Sequence, residues 1–442
     1  MEIATERFCF GLSATCVLLG CLNCSVPDAG TTADAVPKPV TAFIVEAFDR
    51  HPIVALSEMH GNAESHALFT ALVRDPALRA AVQDIVVESG TGRHQETADR
   101  YVAGEDLPDE EVRRIWEDTT QISGIFALPM YRQMLAEVRS VNAALPEQNR
   151  LRVWLGDPPI DWSAITSGAD EDMNDWRDAW FARVVQDRIR IHGRKALLFI
   201  GGAHISRKVM FPNSLIHLLD ERLPGETFVV SVVDAGGVDD SVAAHLRGWP
   251  VRVAAAVKGT SLGQFDVKSF GFTLSTGGLL EQDVDAIAWL SHAPLVYAAP
   301  PPTDPPSPYG RELRRRQDLA RATVPFRGAS IRFEAGDTTL SPEAEKPLGE
   351  ILTELRRDSA LHLLVKAFAD GHERDPDAIS VRRANILVEW LAERGVDRNR
   401  LRPHGCGSRR PLTFGATEDD RALNRRAELV RETPVARCEP PW

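Results

Sequence analysis

Residues 367–384 read AFADGHERDPDAISVRRA and carry the chain from an apolar run, past a carboxylate, into a helix that opens with arginine. Leu361 to Phe368 has the length and apolar character of a buried strand, and Asp370 stands at its exit. Ser380 has the side chain of an N-cap. Val381, Ala384, Leu387, Val388 and Leu391 recur on one helical face, and Gly395 falls where a C-cap belongs. This spacing starts a helix at Ser380 and puts Arg383 in its first turn. Asp370 and Arg383 then form a paired site, with an acid for an ammonium, and arginine plus open backbone N–H groups for a carboxylate.

Further marks surround this stretch between Val324 and Glu432. They are a strand with Ile331 and Phe333, Leu340-Ser341 before a helix, Ser380-x-x-Arg383-Ala384, Gly405-x-Gly407, Pro411 and Asn424-Arg425-Arg426. Together they resemble the OmpA-like peptidoglycan-binding domain of outer-membrane protein A, the Pal lipoproteins and flagellar stator proteins. The resemblance implies that Asp370 and Arg383 grip the amino acid end of diaminopimelate in a stem peptide, with Ser380, Asn424 and Arg425 in the same peptidoglycan-binding set. The chain departs from that pattern at Ala367-Phe368-Ala369-Asp370, where the family has Gly-His-Thr-Asp, and its loop to the serine is shorter. A domain of this fold that makes only protein contacts is the alternative.

A net charge of -12 over 442 residues argues against a nucleic-acid partner, although Arg314-Arg315-Arg316 offers a basic cluster to anionic surfaces. Phe8 to Cys21 is an apolar run too short to span a bilayer and of signal-peptide length. Leu18-Leu19-Gly20-Cys21 resembles a bacterial lipobox, which implies lipidation of Cys21. Because no aspartate directly follows that cysteine, the resemblance implies an outer-membrane lipoprotein on the periplasmic face; simple cleavage and secretion is the other reading. Cys9, Cys16, Cys21 and Cys24 lie in or beside the signal, leaving Cys406 and Cys438 as either a disulfide or two free thiols. No companion pair supports a zinc site.

The expected organisation is a signal peptide over 1–20, a tether over 21–38, an α/β domain over 39–297, a proline-rich linker over 298–310 and the OmpA-like domain over 311–442. The fold class expected is α/β, with a mostly parallel sheet flanked by helices and then a smaller β-α-β-α-β unit. Strand-like runs at 53–56, 85–87, 151–155, 196–200, 228–233, 251–257 and 286–290 alternate with helical segments, which predicts that parallel sheet. Several exits carry acid or imidazole: Glu58-Met59-His60-Gly61, Glu88, Gly156-Asp157 and Gly201-Gly202-Ala203-His204. Open α/β sheets place ligands at such strand ends.

These pieces resemble the superfamily of erythromycin esterases, haem-binding ChaN lipoproteins and Tiki/TraB proteins, in which esterase, haem carrier and metalloprotease all occur. The reading favoured is a hydrolase with Glu58, His60, Glu88, Asp157 and His204 at its centre: His60 or His204 as general base, and Glu58 and Glu88 orienting the imidazoles. A divalent metal on the same groups, haem with a histidine or Tyr131 as axial ligand, and a purely structural envelope tether remain open. There is no Cys-x-x-Cys-His for covalent haem. Convergence would bring His60 and His204 within one small ligand's width and raise at least one carboxylate pKa through crowding. The bland alternatives are that Glu58 and His60 cap the next helix, Asp157 starts a turn, and Trp162, Trp176 and Trp180 pack. Arg93, His94, His66 and Tyr131 are candidates to line the cleft.

Overall fold

The computed structural model describes residues 33–163, 165, 173–209, 214–271, 275–299, 307–322, 330–408 and 418–431. Cys21 with the residues that resemble a lipobox, Pro411 and Cys438 lie outside these residues, as does the side chain of Trp176.

Eight strands make the larger sheet: β1 (Lys38–Pro39), β2 (Ile53–Glu58), β3 (Asp84–Thr91), β4 (Arg152–Asp157), β5 (Ala196–Gly201), β6 (Thr227–Val233), β7 (Val253–Ala256) and β8 (Ala286–Trp289). Their order is β1-β7-β8-β6-β2-β5-β3-β4. From β8 across to β4 every pairing is parallel, and at one edge β7 pairs antiparallel with both β8 and β1. The apolar runs explain this arrangement, because β2, β3 and β5 are buried along their whole length and a parallel sheet is covered on both faces. In β2, Val54 and Leu56 enter one apolar cluster with Phe69, Leu72 and Phe199, whereas Ile53 and Ala55 enter the other with Leu198, Leu215 and Leu219. Glu58 and Gly201 are register partners, so the loops leaving β2 and β5 start side by side. The expected strand ends shift slightly: Glu58 and Asp157 close their strands, and Glu88 lies inside β3, where the pairing with β4 is irregular.

The smaller sheet comprises β9 (Ser330–Arg332), β10 (Leu363–Ala367), β11 (Leu401–Gly405) and β12 (Arg426–Arg431), in the order β11-β10-β12-β9. β12 is a fourth strand beyond the expected β-α-β-α-β, and it pairs antiparallel with both β10 and β9. Helices Glu345–Arg357 and Pro376–Glu393 cover the sheet through Leu348, Ile351, Leu355, Ala384, Leu387 and Leu391.

One helix boundary needs correction. The helix over 376–393 begins four residues before Ser380: Asp375 is the N-cap, accepting from the Ala378 amide, and Pro376 takes the first helical position. Ser380 and Arg383 are thereby moved onto the inward face, and Val381, expected to be buried, is 47% exposed. Gly395 does close the helix in the left-handed region at φ 90°.

Residue 311, the expected start of the C-terminal unit, falls inside helix Pro308–Ala322, whose arginines bond to the larger unit. Arg316 donates to the Glu117 carbonyl at 2.7 Å, pairs with Asp118 at 3.0 Å and stacks 4.6 Å above the Trp162 ring. Arg315 donates to the carbonyls of Trp162 and Ile165, and Gln317 to that of Ile122. Two of the three clustered arginines are therefore spent internally. Upstream, the Ala298 amide donates to the Gly61 carbonyl, so the chain leaving β8 is pinned to the loop after β2. Residues 300–306 of the expected linker lie outside the described residues.

Candidate functional site

In the larger unit the strand exits meet on one carboxylate. Glu88 is buried; its Oε2 accepts the Gly201 amide at 2.7 Å, and its Oε1 lies 2.6 Å from Arg177 Nη2. The same Oε1 is 3.5 Å from Nε2 of both His60 and His204. Each imidazole also has a carboxylate behind Nδ1: Glu58 for His60, and Asp178 at 2.9 Å for His204. Two carboxylate-backed histidines thus face one acid, and His60 and His204 converge as the spacing implied. Gly201 allows this approach, because a Cβ there would stand 2.8 Å from Glu88 Oε2 and 3.1 Å from His60 Cε1.

Glu58 also receives His66 Nε2 at 3.0 Å and the Tyr131 hydroxyl at 3.2 Å. Tyr131 in turn accepts the Gly61 amide at 3.3 Å. Neither Glu58 nor His60 caps the following helix; Asn62 does, accepting from the Ser65 amide at 2.8 Å. Asp157 is fully buried, accepts from the Thr120 amide and hydroxyl, and pairs with Arg177 Nε at 3.0 Å. It is a partner of Arg177, one shell behind the histidines. Of the four proposed lining residues, His66 and Tyr131 join the cluster, whereas Arg93 pairs with Asp161 and His94 with Asp118 elsewhere. Trp162 packs with Ile160 and Ile165. Arg177 and Asp178, on helix Met173–Arg183, were not anticipated. Their Asp-Trp-Arg-Asp surroundings carry no recognisable motif, and only the tertiary fold brings them to Glu88.

The electrostatics follow from this packing. Burial alone would discharge His60, but Glu88 and Glu58 outweigh it and push its pKa up to about 10. For His204, burial is likewise overcome by Asp178 and Glu88, giving about 9. Both rings are imidazolium ions at neutral pH, so in the resting state they supply protons. A proton acceptor within this cluster would then have to be one of its carboxylates. Crowding was also expected to raise a carboxylate; burial raises Asp157, but Glu58 and Glu88 are held below the ordinary range, since His60 and its cationic neighbours more than offset their desolvation. Among the described residues no group of three or more His, Cys, Asp or Glu side chains is arranged to hold a metal ion. A divalent ion or haem iron at Glu88 would have to displace the Arg177 guanidinium and strip protons from the imidazoles, and Tyr131, pushed well above its ordinary pKa, gives its hydroxyl to Glu58. This donor set does not fit either group.

A stability prediction follows. The folded state binds protons at His60 and His204 more tightly than the unfolded chain, so their contribution is complete below about pH 6.5 and is lost as pH rises towards about 9 and 10. The melting temperature of the larger unit should fall across that window, and by less in His60→Ala. Identical pH profiles for the two proteins would contradict the paired-imidazolium arrangement.

In the smaller unit the two residues of the expected wall site are close, but both are buried. Arg383 is 0% exposed. Its Nε donates to the Asp337 carbonyl at 3.0 Å, and its two terminal nitrogens donate to the carbonyls of Phe368 (3.2 Å) and Glu334 (3.0 Å) and to both oxygens of Glu373 at 2.8 and 2.7 Å. Arg383 lies about two turns into its helix, so the expected grouping with open first-turn amides does not form. Asp370 Oδ1 accepts from the amide and Nδ1 of His372 at 2.9 and 3.0 Å. Burial would raise the Asp370 pKa, but the bonds from His372, with help from Asn424, hold it below the ordinary value. Asn424 therefore belongs to the Asp370 site. The buried Ser380 hydroxyl donates to the Asp377 carbonyl and accepts the Gly407 amide, both at 2.9 Å. Arg425 donates to the Phe333 carbonyl beside β9. Cys406 is buried and disulfide-bonded; Cys438, its expected partner, lies outside the described residues.

Residues 332–425 match the model of the OmpA family. The C-terminal unit is OmpA-like. The peptidoglycan-binding protein ArfA of Mycobacterium tuberculosis is 30% identical over 115 residues, which cover 26% of this chain and 35% of that protein. The putative lipoprotein YfiB of Escherichia coli is 27% identical over 108 residues, covering 24% of this chain and 68% of that protein. The peptidoglycan-associated lipoprotein of Burkholderia pseudomallei aligns in structure at 23% identity and a TM-score of 0.23, covering 23% of this chain and 89% of that one. The chain thus spans about a third of the length of the ArfA relatives it matches.

Proposed function

We propose that this is a cell-envelope protein that holds peptidoglycan non-covalently through its OmpA-like unit, with Asp370 receiving the ammonium of a diaminopimelate side chain. The observation that carries this reading is the match of residues 332–425 to the OmpA family, with Asp370 at the exit of β10 and its carboxylate kept ionised by His372 and Asn424. Relatives named as peptidoglycan-binding proteins and lipoproteins support it. The resemblance of Leu18-Leu19-Gly20-Cys21 to a lipobox supports attachment to the outer membrane. Among the described residues no helix is long and apolar enough to cross a membrane. Titration of the full chain with soluble stem peptides, their diaminopimelate as free acid or amide, tests the site: Asp370→Asn should weaken the tighter of the two complexes about tenfold, the size of one charged hydrogen bond. Equal affinity in a folded Asp370→Asn variant would contradict it.

The larger unit is proposed to be a hydrolase. The convergence of two carboxylate-backed imidazolium ions on Glu88, at the C-terminal edge of a parallel sheet, supports this reading beside the likeness to the erythromycin esterase, ChaN and Tiki/TraB superfamily. Glu88 takes a proton from water while the water oxygen bonds to an acyl carbon. The N–H groups of His60 and His204 stabilise the oxyanion. His60, at 31% side-chain exposure the more open of the pair, then gives its proton to the departing oxygen as the acyl bond breaks, and Glu88 returns a proton to His60. All charges are restored at the end of the cycle.

A further inference from the structure

Resting on Asp370 as the wall-binding acid, we propose that Glu373 fixes which amine that site accepts: an ammonium with no carboxylate beside it. A guanidinium has five N–H donors, and in Arg383 all five are used within the protein: one by Asp337, one by Phe368, one by Glu334 and two by Glu373. The Glu373 carboxylate is equally committed. Besides the two arginine bonds it accepts the Asp370 amide at 3.0 Å and the Gly336 amide at 2.9 Å, and its side chain is 6% exposed. The planar fork of Arg383 thus already holds a carboxylate, supplied by the loop between β10 and the helix.

Two consequences follow for a ligand. The Arg383 charge is neutralised in place, so an incoming carboxylate finds no free donor there and meets the field of Asp370 close by. Asp370 keeps its negative charge, and of the two groups on its Oδ1, the His372 amide and the His372 ring, the ring is largely exposed and can swing away to admit an ammonium. The side chain therefore selected is a primary amine whose neighbouring carboxyl is amidated or absent. Diaminopimelate with its side-chain carboxyl amidated and lysine both supply that chemistry.

The test is calorimetric titration of the full chain with three soluble muramyl tripeptides that end in free-acid diaminopimelate, amidated diaminopimelate or lysine. Wild type should bind the amide and the lysine peptide about tenfold or more tightly than the free acid, since the free acid brings an unpaired carboxylate into the site. A stronger response to the amide than to lysine would name amidated wall as the source, and the reverse would name lysine-type wall. Glu373→Gln, which keeps the side-chain volume but frees the guanidinium charge, should improve the free-acid complex by about tenfold. If wild type binds the free acid as tightly as the amide, Glu373 gives way to ligand and the inference is overturned while Asp370 stands. If none of the three binds, the wall-binding reading itself fails, and the inference falls with it.

Discussion

Arg383→Ala is expected to destabilise the C-terminal unit by about 3–5 kcal/mol, the cost of removing one partner from a buried ion pair. The guanidinium ties together the carbonyls of Glu334, Asp337 and Phe368, and its loss leaves the Glu373 carboxylate buried without its cation. Arg383→Lys should recover little, because an ammonium cannot span both Glu373 oxygens and three carbonyls in the plane of the arginine fork. Denaturant unfolding followed by a probe in the smaller unit measures this, and a midpoint unchanged from wild type would contradict the buried pair. Loss of wall binding in Arg383→Ala therefore says little about recognition, whereas Asp370→Asn keeps the arginine frame intact.

His60→Ala is expected to lower turnover of any ester or amide the larger unit accepts by about 10²–10⁴-fold, the range for loss of a positioned general acid. His60 is the cleanest probe of the cluster because its ring is partly open to solvent. Removing either ring leaves two acids short of a cation, Glu58 and Glu88 for His60 and Asp178 and Glu88 for His204, so both variants should also cost stability. Turnover that survives in a folded His60→Ala protein would remove the proton-donor role and leave the unit as a structural tether.

The parallel sheet was legible because β2, β3 and β5 are apolar on both faces, and the acids and histidines at their ends stood out against those runs. Arg177 was not, since it reaches Glu88 from a helix whose local sequence gives no sign of where it docks. In the smaller unit, Asp375-Pro376 is a stronger helix start than Ser380, but the Ser-x-x-Arg spacing drew the boundary inward. That shift of four residues turned a presumed ligand-facing arginine into a buried one. Glu373 was hidden for a related reason: nothing in a loop rich in charges tells which one will fold onto the arginine. The docking of the helix over 308–322 was not legible, because it rests on arginine bonds to backbone carbonyls, which leave no periodic trace.

The most direct measurement is co-sedimentation of the full chain with purified sacculi, wild type beside Asp370→Asn. The wild-type protein should pellet with the wall material and Asp370→Asn should stay in the supernatant; wild type remaining in the supernatant, or Asp370→Asn pelleting to the same extent, would contradict wall attachment through Asp370.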